Sequence, residues 1–241
     1  MISVCIATYN GENFIQRQIN SILPQLNEND EIVISDADST DKTTDIINSI
    51  GDKRIKLLHY KTPSRYSKNE IFNKMDNIRV NFENALMQAR GDVILLSDQD
   101  DLWHSNKVKR ICELLKEADC IVHDCVVLQE GKVTISSFLN YFKPGRTRWS
   151  MFIKSPFMGC CMAFNRSVLE RSLPFPNLHI EHDTWIGMCA YKVGKVKIVD
   201  EVLIDYFRHG HNASPIANKK KNPYSIMLLR RFYMLLAYLR F

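Results

Sequence analysis

The acidic run Asp98-Gln99-Asp100-Asp101 directly follows an apolar stretch, residues 93–96, that favours a buried strand. On an extended segment, residues two apart point to the same side. The carboxylates of Asp98 and Asp100 are therefore predicted to face one site, and Asp101 the opposite side. Two carboxylates that leave other coordination positions open suit Mg²⁺ or Mn²⁺ bridging the phosphates of a substrate. A solvated acidic turn is the alternative.

A further carboxylate, Asp183, lies before an apolar run and is predicted to occupy the first turn of a helix over residues 182–193. There it could act as a general base or simply cap the helix beside Trp185; local sequence alone favours the cap. His182 and His209 are candidate functional groups, and His209, near a strand end, could ligate a metal. A lone histidine is more often a hydrogen-bonded structural residue.

These side chains must be positioned by alternating strands and helices. The patterns predict strands over residues 2–7, 31–35, 54–59 and 92–97, and helices over residues 12–23, 41–50 and 76–89. Such alternation is typical of a parallel, doubly wound α/β sheet, in which ligands bind beyond the carboxyl ends of the strands. Thr8-Tyr9-Asn10, Asp36 and Asp98 all fall at predicted strand ends.

The second half of the chain is less regular. We predict helices over residues 106–116 and 182–193, strands over 120–128, 159–165, 196–199 and 202–207, and a turn at Glu130-Gly131. No linker separates the halves, so residues 1–215 are predicted to form one domain. Residues 1–104 would bind a nucleotide and residues 105–215 an acceptor, with 216–241 as a basic tail.

Composition narrows the class of protein. The chain has 241 residues, 45% of them hydrophobic and 24% charged, as in globular proteins. Its seven cysteines form no Cys-x-x-Cys pair, which indicates free thiols in a reducing compartment, and we expect a cytoplasmic protein. Seven Lys or Arg and no acidic residue follow position 205, so the net charge of +5 belongs to the tail and nucleic-acid binding is not expected.

Several motifs occur in order along the chain and together resemble family 2 glycosyltransferases with the GT-A fold, especially bacterial rhamnosyltransferase-like enzymes. The resemblance covers roughly residues 2–214. The motifs are Thr8-Tyr9-Asn10, Ser35-Asp36-Ala37-Asp38-Ser39-Thr40-Asp41, Gly91-Asp92, Ser97-Asp98-Gln99-Asp100-Asp101-x-Trp103, the segment 159–165, Glu181-His182-Asp183-x-Trp185 and His209-Gly210-x-Asn212.

This resemblance implies roles for named residues. Tyr9 and Asp36 would line the base and ribose pocket, with Thr8, Asn10 and Asp98 also on the donor nucleotide. Mg²⁺ or Mn²⁺ on the donor diphosphate would be held by Asp98, Asp100 and His209, and Asp183 would be the catalytic base. The residues expected on the acceptor side or in support of the site are Asp101, Trp103, Gly159, Cys160, His182 and Trp185.

Two motifs depart from the family pattern. Ala37 stands where the family usually has a second acid, and Asp38 where glycine is frequent, so Asp38 must tolerate a turn conformation. The family often has Tyr-Arg-Gln-His near the last motif, whereas this chain has Tyr206-Phe207-Arg208-His209. The first change bears on nucleoside contacts, and the second on phosphate binding by an arginine.

The expected activity is inverting transfer of a sugar from a UDP- or dTDP-sugar to a saccharide or lipid-linked acceptor in bacterial surface polysaccharide synthesis. A nucleotidyltransferase is the first alternative, although Tyr9-Asn10-Gly11-Glu12 provides no glycine-rich, basic phosphate loop. A catalytically inactive sugar-nucleotide-binding protein is the second. Release of pyrophosphate, or binding of donor without turnover, would distinguish them from a transferase.

The basic tail supports two interpretations. Lys219-Lys220-Lys221 precedes a segment, residues 224–241, that is too short and too interrupted by arginines to span a membrane. It is predicted to be an amphipathic helix. Residues 219–241 would either lie on an anionic membrane surface, on the inner face of the plasma membrane, or pack on the domain or on a second subunit in a homodimer.

Overall fold

The protein is built around one nine-stranded sheet. The computed structural model describes residues 1–61, 67–209 and 224–240. The strands are β1 (Ile2–Thr8), β2 (Glu31–Asp36), β3 (Ile55–His59), β4 (Val93–Ser97), β5 (Leu102–Trp103), β6 (Cys120–Gln129), β7 (Lys132–Ile135), β8 (Met162–Asn165) and β9 (Val196–Arg208). Their order is β3-β2-β1-β4-β8-β6-β9-β5, and β7 pairs with β6 outside this path.

The first four strands form the predicted parallel block. In the register, Thr8 lies beside Asp36, and Ile6 beside Ser97, so the chain leaves β1, β2 and β4 at the same edge of the sheet. The strands are buried on both faces because helices cover them, which explains their nearly continuous apolar sequences. This edge gathers the polar residues that follow each strand.

Eight helices are described: α1 (Ile15–Ile22), α2 (Thr43–Ile50), α3 (Glu70–Leu86), α4 (Lys107–Leu114), α5 (Phe138–Phe142), α6 (Arg166–Ser172), α7 (His182–Val193) and α8 (Tyr224–Arg240). Helix α3 begins six residues before the predicted start. The side chain of Asn69 accepts hydrogen bonds from the backbone N–H groups of Ile71 and Phe72 and thereby caps the helix. Helix α7 has the predicted bounds.

The second half of the chain extends the sheet in mixed directions. Strand β8 runs antiparallel to both β4 and β6, whereas β9 runs parallel to β6. The two predicted strands at 196–199 and 202–207 are one strand, β9. Its register against β6 shifts around Asp124, so the polar residues between the two apolar runs form an irregularity rather than a loop.

Buried side chains cover both faces of the sheet. In β2, Ile32 and Ile34 contribute to one apolar cluster and Val33 to the other, as the alternation of a strand requires. All seven cysteines are free, and six are buried. Helix α8 packs on α7 and on the 3-10 turn Ser150–Phe152. Within the described parts of the chain, no helix is both long enough and apolar enough to cross a membrane.

Candidate active site

Asp36 forms the anchor of the loop that follows β2. Thr8 Oγ1 donates to Asp36 Oδ1 at 2.8 Å, Ser39 Oγ donates to the same oxygen at 2.6 Å, and the Ser39 N–H donates to Asp36 Oδ2 at 2.9 Å. The residue is 1% exposed. Asp36 therefore links the end of β1 to the loop after β2 from a buried position. Its predicted contact with a nucleoside stays a prediction.

The loop after β1 is hydrogen-bonded to the loops that follow β2 and β4. The Tyr9 N–H donates to Gln99 Oε1 at 3.0 Å, and Gln99 Nε2 donates to the Tyr9 carbonyl at 3.2 Å. The Asn10 N–H donates to Ser39 Oγ, and Asn10 Oδ1 accepts from the Thr40 N–H at 2.8 Å. Asn10 has φ of 47°, a conformation that asparagine tolerates. The Tyr9 ring is exposed beside this framework.

Positions 37 and 38, where the chain departs from the family pattern, lie at the start of the loop after β2. Ala37 is buried, and its N–H donates to the Thr8 carbonyl at 3.0 Å. A carboxylate at this position would need a different side-chain environment from that of the alanine methyl. Asp38 has φ of 54°, so it adopts the left-handed turn conformation that its position was predicted to require.

The acidic run after β4 bends instead of continuing as a strand. Bends fall at Gln99 and Asp100. Ligand atoms of Asp98, Asp101 and Cys160 consequently lie within 4.8 Å of one another. The prediction that Asp101 points away from Asp98 is wrong, because alternation of side chains holds only for extended backbone. Asp101 is fully buried, and neither of its carboxylate oxygens has a hydrogen-bond partner among the described residues.

Asp100 meets the histidine at the end of β9. His209 Nε2 lies 2.7 Å from Asp100 Oδ2, and the imidazole stacks on Phe14 with ring centroids 4.4 Å apart. The structure thus brings His209 to the acidic run, as the resemblance implied. Gly210 and Asn212, the other residues of that motif, lie outside the described residues.

The carboxylates of this cluster strongly affect one another. Burial, followed by the charges of Asp100 and Asp183, raises the pKa of Asp98 to about 7. The pKa of Asp101 is also well above its usual range, chiefly because of burial and then because of the charges of Asp100 and Asp98. Concentrated negative charge in a buried place is an arrangement that a bound cation relieves.

Lys107, in the first turn of α4, is a further member of this site and was not among the predicted residues. It is fully buried, donates to the Cys160 carbonyl at 3.0 Å and lies 3.9 Å from the centre of the Trp103 ring. Burial lowers the pKa of Lys107 to about 8, while the charges of Asp101 and Asp98 oppose that shift. Lysine side chains are ordinarily exposed, so the local pattern around Lys107 does not predict its burial at this site.

Asp183 occupies the predicted first turn of α7. Burial raises its pKa to about 6, and hydrogen bonds from Thr184 and the Gly159 backbone oppose part of the shift. Because the charge of Asp183 in turn raises the pKa of Asp98, the two carboxylates share one electrostatic environment. A carboxylate with a pKa near 6 is suited to accept a proton at neutral pH.

Two residues beside Asp183 support the site from the core. His182 is buried, stacks on Phe82 at 4.0 Å between centroids, and has its pKa lowered to about 3 by burial. Gly159 leaves room for it, since a Cβ there would lie 2.7 Å from His182 Nε2. Trp185 Nε1 donates to the Ser172 carbonyl at 2.8 Å, which places the indole in the core between α6 and α7.

The donor atoms present fit a divalent cation. Asp98 and Asp100 provide the hard oxygens that Mg²⁺ and Mn²⁺ prefer, and His209 adds the imidazole that Mn²⁺ also accepts. A carboxylate oxygen of buried Asp101 lies within 4.8 Å of one from Asp98, and neither Asp101 oxygen has a hydrogen-bond partner among the described residues. The sulfur of Cys160 also lies within reach, but thiolates favour softer metals.

The family model for glycosyl transferase family 2 matches residues 3–173. The chain belongs to glycosyltransferase family 2. The match includes the strand ends, the acidic run and the Gly159–Cys161 turn, whereas Asp183 and His209 lie beyond it.

The chain is similar to curated relatives, of which three are described. It is 28% identical to an uncharacterised glycosyltransferase of a Nostoc species, over 88% of this chain and 66% of that protein. It is 26% identical to the Escherichia coli UDP-Glc:alpha-D-GlcNAc-diphosphoundecaprenol beta-1,3-glucosyltransferase WfaP, over 92% and 82%. It is 28% identical to the Shigella flexneri dTDP-rhamnosyl transferase RfbG, over 68% and 55%. The chain therefore spans less than two thirds of the Nostoc and Shigella proteins.

Solved structures confirm the GT-A fold. The glycosyltransferase superposes on a Staphylococcus aureus TarS fragment in complex with UDP-GlcNAc with a TM-score of 0.72, at 20% identity over 99% of this chain and 66% of that one. It also resembles a Pyrobaculum calidifontis mannosyltransferase in complex with GDP-Man and Mn²⁺, with a TM-score of 0.61, at 16% identity over 99% and 72%. At these identities the likeness concerns the fold alone.

Proposed function

We propose that this family member is an inverting transferase that moves a sugar from a UDP- or dTDP-sugar to a saccharide or lipid-linked acceptor in bacterial surface polysaccharide synthesis. The observation that carries the proposal is the position of the Gly159–Cys161 turn between the two carboxylates. Gly159 packs closely against His182, which precedes Asp183, and the Cys160 sulfur lies within 4.8 Å of ligand atoms of Asp98 and Asp101. This proximity supports a candidate cation ligand and a candidate base at one site, as direct sugar transfer requires.

In this mechanism Asp183 accepts the proton of the acceptor hydroxyl. The freed oxygen bonds to the anomeric carbon while the bond from that carbon to the donor diphosphate oxygen breaks, and the electron pair leaves with the nucleoside diphosphate. A single displacement of this kind inverts the anomeric configuration. The raised pKa of Asp183 supports its role, because a carboxylate with a pKa of about 6 takes a proton more readily than an ordinary one.

We assign the donor diphosphate to the sheet edge that carries Asp98 and the Asp100–His209 pair. These three residues would hold Mg²⁺ or Mn²⁺, which stabilises negative charge on the departing nucleoside diphosphate. The exposed ring of Tyr9 is suited to stack on the base, and the hydrogen bonds of Asn10, Gln99 and Asp36 fix the loop that carries it.

The choice of donor nucleotide rests on the relatives. The Escherichia coli relative is named as a UDP-Glc enzyme acting on a diphosphoundecaprenol-linked sugar, and the Shigella relative as a dTDP-rhamnosyl transferase. Both names give a pyrimidine nucleotide as the carrier of the transferred sugar. We therefore expect a uracil or thymine base in the donor and an acceptor sugar carried on a lipid diphosphate or a growing glycan.

The proposal is tested by incubating the purified protein with UDP- and dTDP-sugars and Mn²⁺, and measuring release of the nucleoside diphosphate with and without diphosphoprenyl-linked sugar acceptors. We expect metal-dependent donor hydrolysis and faster release with a suitable acceptor. Asp183→Asn should lower acceptor-dependent transfer by roughly a factor of 10² to 10⁴, the usual contribution of a general base. It should retain donor binding.

Asp45→Asn is the matched control, since this exposed carboxylate lies on α2 away from the acidic run and should leave transfer unchanged. Full transfer by Asp183→Asn would disprove the assigned base. Release of pyrophosphate from a nucleoside triphosphate would indicate a nucleotidyltransferase instead. Binding of UDP and Mn²⁺ without turnover of any donor would indicate an inactive sugar-nucleotide-binding protein.

A further inference from the structure

Helix α8 is apolar on two opposite faces. Ile226, Met234, Ala237 and Tyr238 are buried against the domain. A second set points to solvent, with exposed fractions between 49% and 84%, and comprises Tyr224, Leu228, Phe232, Leu235 and Leu239. At 100° per residue these five fall within an arc of about 80°, so they form one continuous stripe along the helix.

A neighbouring segment widens this apolar surface. Arg231 donates to the Ile153 carbonyl, and the Trp149 ring packs edge-on against Tyr238 with centroids 6.0 Å apart. The side chains of Trp149 and Ile153 are themselves 68% and 78% exposed. The stripe and these two side chains therefore form one exposed face, which we name the α8 face.

The charges around the α8 face are predominantly positive. Residues 143–155 and 224–240 contain seven Lys or Arg and no Asp or Glu: Lys143, Arg146, Arg148, Lys154, Arg230, Arg231 and Arg240. Among the described residues, two acidic side chains form ion pairs with these segments, Glu181 with Arg230 and Asp200 with Arg146. The other five basic residues give the face an excess of positive charge beside its exposed Trp, Phe, Leu and Ile side chains.

We propose that the α8 face docks on an anionic lipid surface, with α8 lying in the plane of the interface. Aromatic and leucine side chains enter the boundary between headgroups and acyl chains, and arginine and lysine side chains bind the lipid phosphates above it. A second copy of the chain fits the face less well, because a two-fold contact would bring together the five basic residues of each copy that are in excess of its ion pairs. This inference goes beyond the proposed sugar transfer and does not depend on it.

The test is flotation of the full chain with phosphatidylcholine vesicles that contain or lack about 30% phosphatidylglycerol, an anionic fraction that attracts basic segments. We expect binding to the anionic vesicles, weak binding to the neutral ones, and release at high salt. Leu228→Glu with Phe232→Glu should weaken binding at least tenfold, and Arg240→Glu several-fold, since both changes oppose insertion or attraction at the anionic surface.

Met87→Glu is the matched control, because Met87 is 63% exposed just beyond α3, outside the α8 face, and should leave vesicle binding unchanged. The thermal midpoint of each variant shows whether it is folded. Failure of the folded parent chain to bind anionic vesicles would overturn the proposal, as would undiminished binding by the Leu228 and Phe232 double variant. Concentration-dependent dimerisation that this variant abolishes would assign the face to a second copy instead.

Discussion

Burial away from water is the main cause of the raised pKa of Asp183, and the hydrogen bonds from Thr184 and Gly159 cancel only part of that effect. The pKa of Asp98 is raised further, because the charges of Asp100 and Asp183 add to the effect of its burial. The first shift favours proton transfer, whereas the second favours binding of a cation. In the proposed mechanism, the different surroundings of Asp183 and Asp98 thus suit one aspartate to proton transfer and the other to cation binding.

The pKa of Asp183 predicts the acidic limb of the pH profile. Asp183 accepts a proton only when it is ionised, so at saturating Mn²⁺ kcat/KM should be constant above the pKa and fall about tenfold per pH unit below about pH 6. Steady-state transfer measured between about pH 5 and 8 checks this. The residual activity of Asp183→Asn should lack the inflection, and an identical inflection in that variant would exclude Asp183 as its source.

Asp98→Asn is expected to stabilise the protein while removing activity. The folded state binds the Asp98 proton more tightly than the unfolded state does, so this carboxyl makes the protein less stable as the pH rises from about 4 to about 7. Asparagine should therefore raise the metal-free free energy of unfolding at pH 8 by about 1–2 kcal/mol, or the thermal midpoint by roughly 2–8 °C.

Thermal melts of Asp98→Asn and the parent at pH 8 and pH 4 provide the measurement. The difference should shrink at pH 4, where the parent side chain is already protonated. Asp45→Asn, which changes an exposed carboxylate, should show no such pH-dependent gain. A lower midpoint for Asp98→Asn at pH 8 would mean that its charge is compensated in the folded protein.

Individual site residues were predictable to different degrees. The contact between the acidic run and His209 could be predicted from strand ends and motif order, whereas the roles of Asp98, Asp100 and His209 as metal ligands stay predictions. Asp101 was assigned the wrong direction because the bends at Gln99 and Asp100 are not encoded by alternation of polar and apolar residues. Lys107 was missed because its burial depends on Trp103 and Cys160, which arrive from elsewhere in the chain.

Among the elements, those with strong local patterns were predicted well. The four parallel strands and α7 lie where the apolar periodicity places them, and Glu130 and Gly131 form the predicted turn with φ of 52° and 73°. Other features depend on tertiary contacts. The continuity of β9 comes from pairing with β6 across a register shift, and the two-residue strand β5 exists because it pairs with β9.

The loops after β1 and β4 are expected to act as one unit through Gly11 and Gln99. A Cβ on Gly11 would lie 2.4 Å from Gln99 Oε1, the atom that accepts from the Tyr9 N–H. Gly11→Ala should therefore displace Gln99 and weaken UDP binding roughly fivefold to thirtyfold, equivalent to the loss of one or two hydrogen bonds. Calorimetric titration with UDP and Mn²⁺ measures the change.

A double-mutant cycle isolates the cause of that loss. If Gly11→Ala acts by displacing Gln99, it should add little to the effect of Gln99→Ala, because the crowded atom is already gone. Equal losses in both backgrounds would show that the alanine acts through the backbone instead. Residue 11 has to be small because of this close approach.

All nine described strands belong to one continuous sheet. In it, β8 pairs with β4 and β6 and so joins the parallel block to the strands of the second half. Both apolar clusters contain residues from both halves, such as Ile6 with Ile121 in one and Phe82 with Trp185 in the other. The predicted boundary near residue 104 is thus not a boundary between folding units. The predicted boundary at residue 215 lies outside the described residues.

We therefore expect one cooperative thermal transition. Differential scanning calorimetry should give a calorimetric enthalpy close to the van't Hoff enthalpy, because neither half can retain its share of the clusters without the other. UDP with Mn²⁺ should shift the whole transition upwards. Two separated peaks, with only one of them sensitive to UDP, would show that the halves unfold independently.

The hydrogen bonds that hold Asn10, Ser39, Asp36 and Gln99 have a thermodynamic consequence for the donor. They restrict the backbone around Tyr9 before any ligand arrives, so little conformational entropy remains to be lost on binding. A nucleotide bound as proposed would meet a surface that is already shaped for it. Its affinity can then depend on the few contacts it makes rather than on the cost of organising the loop.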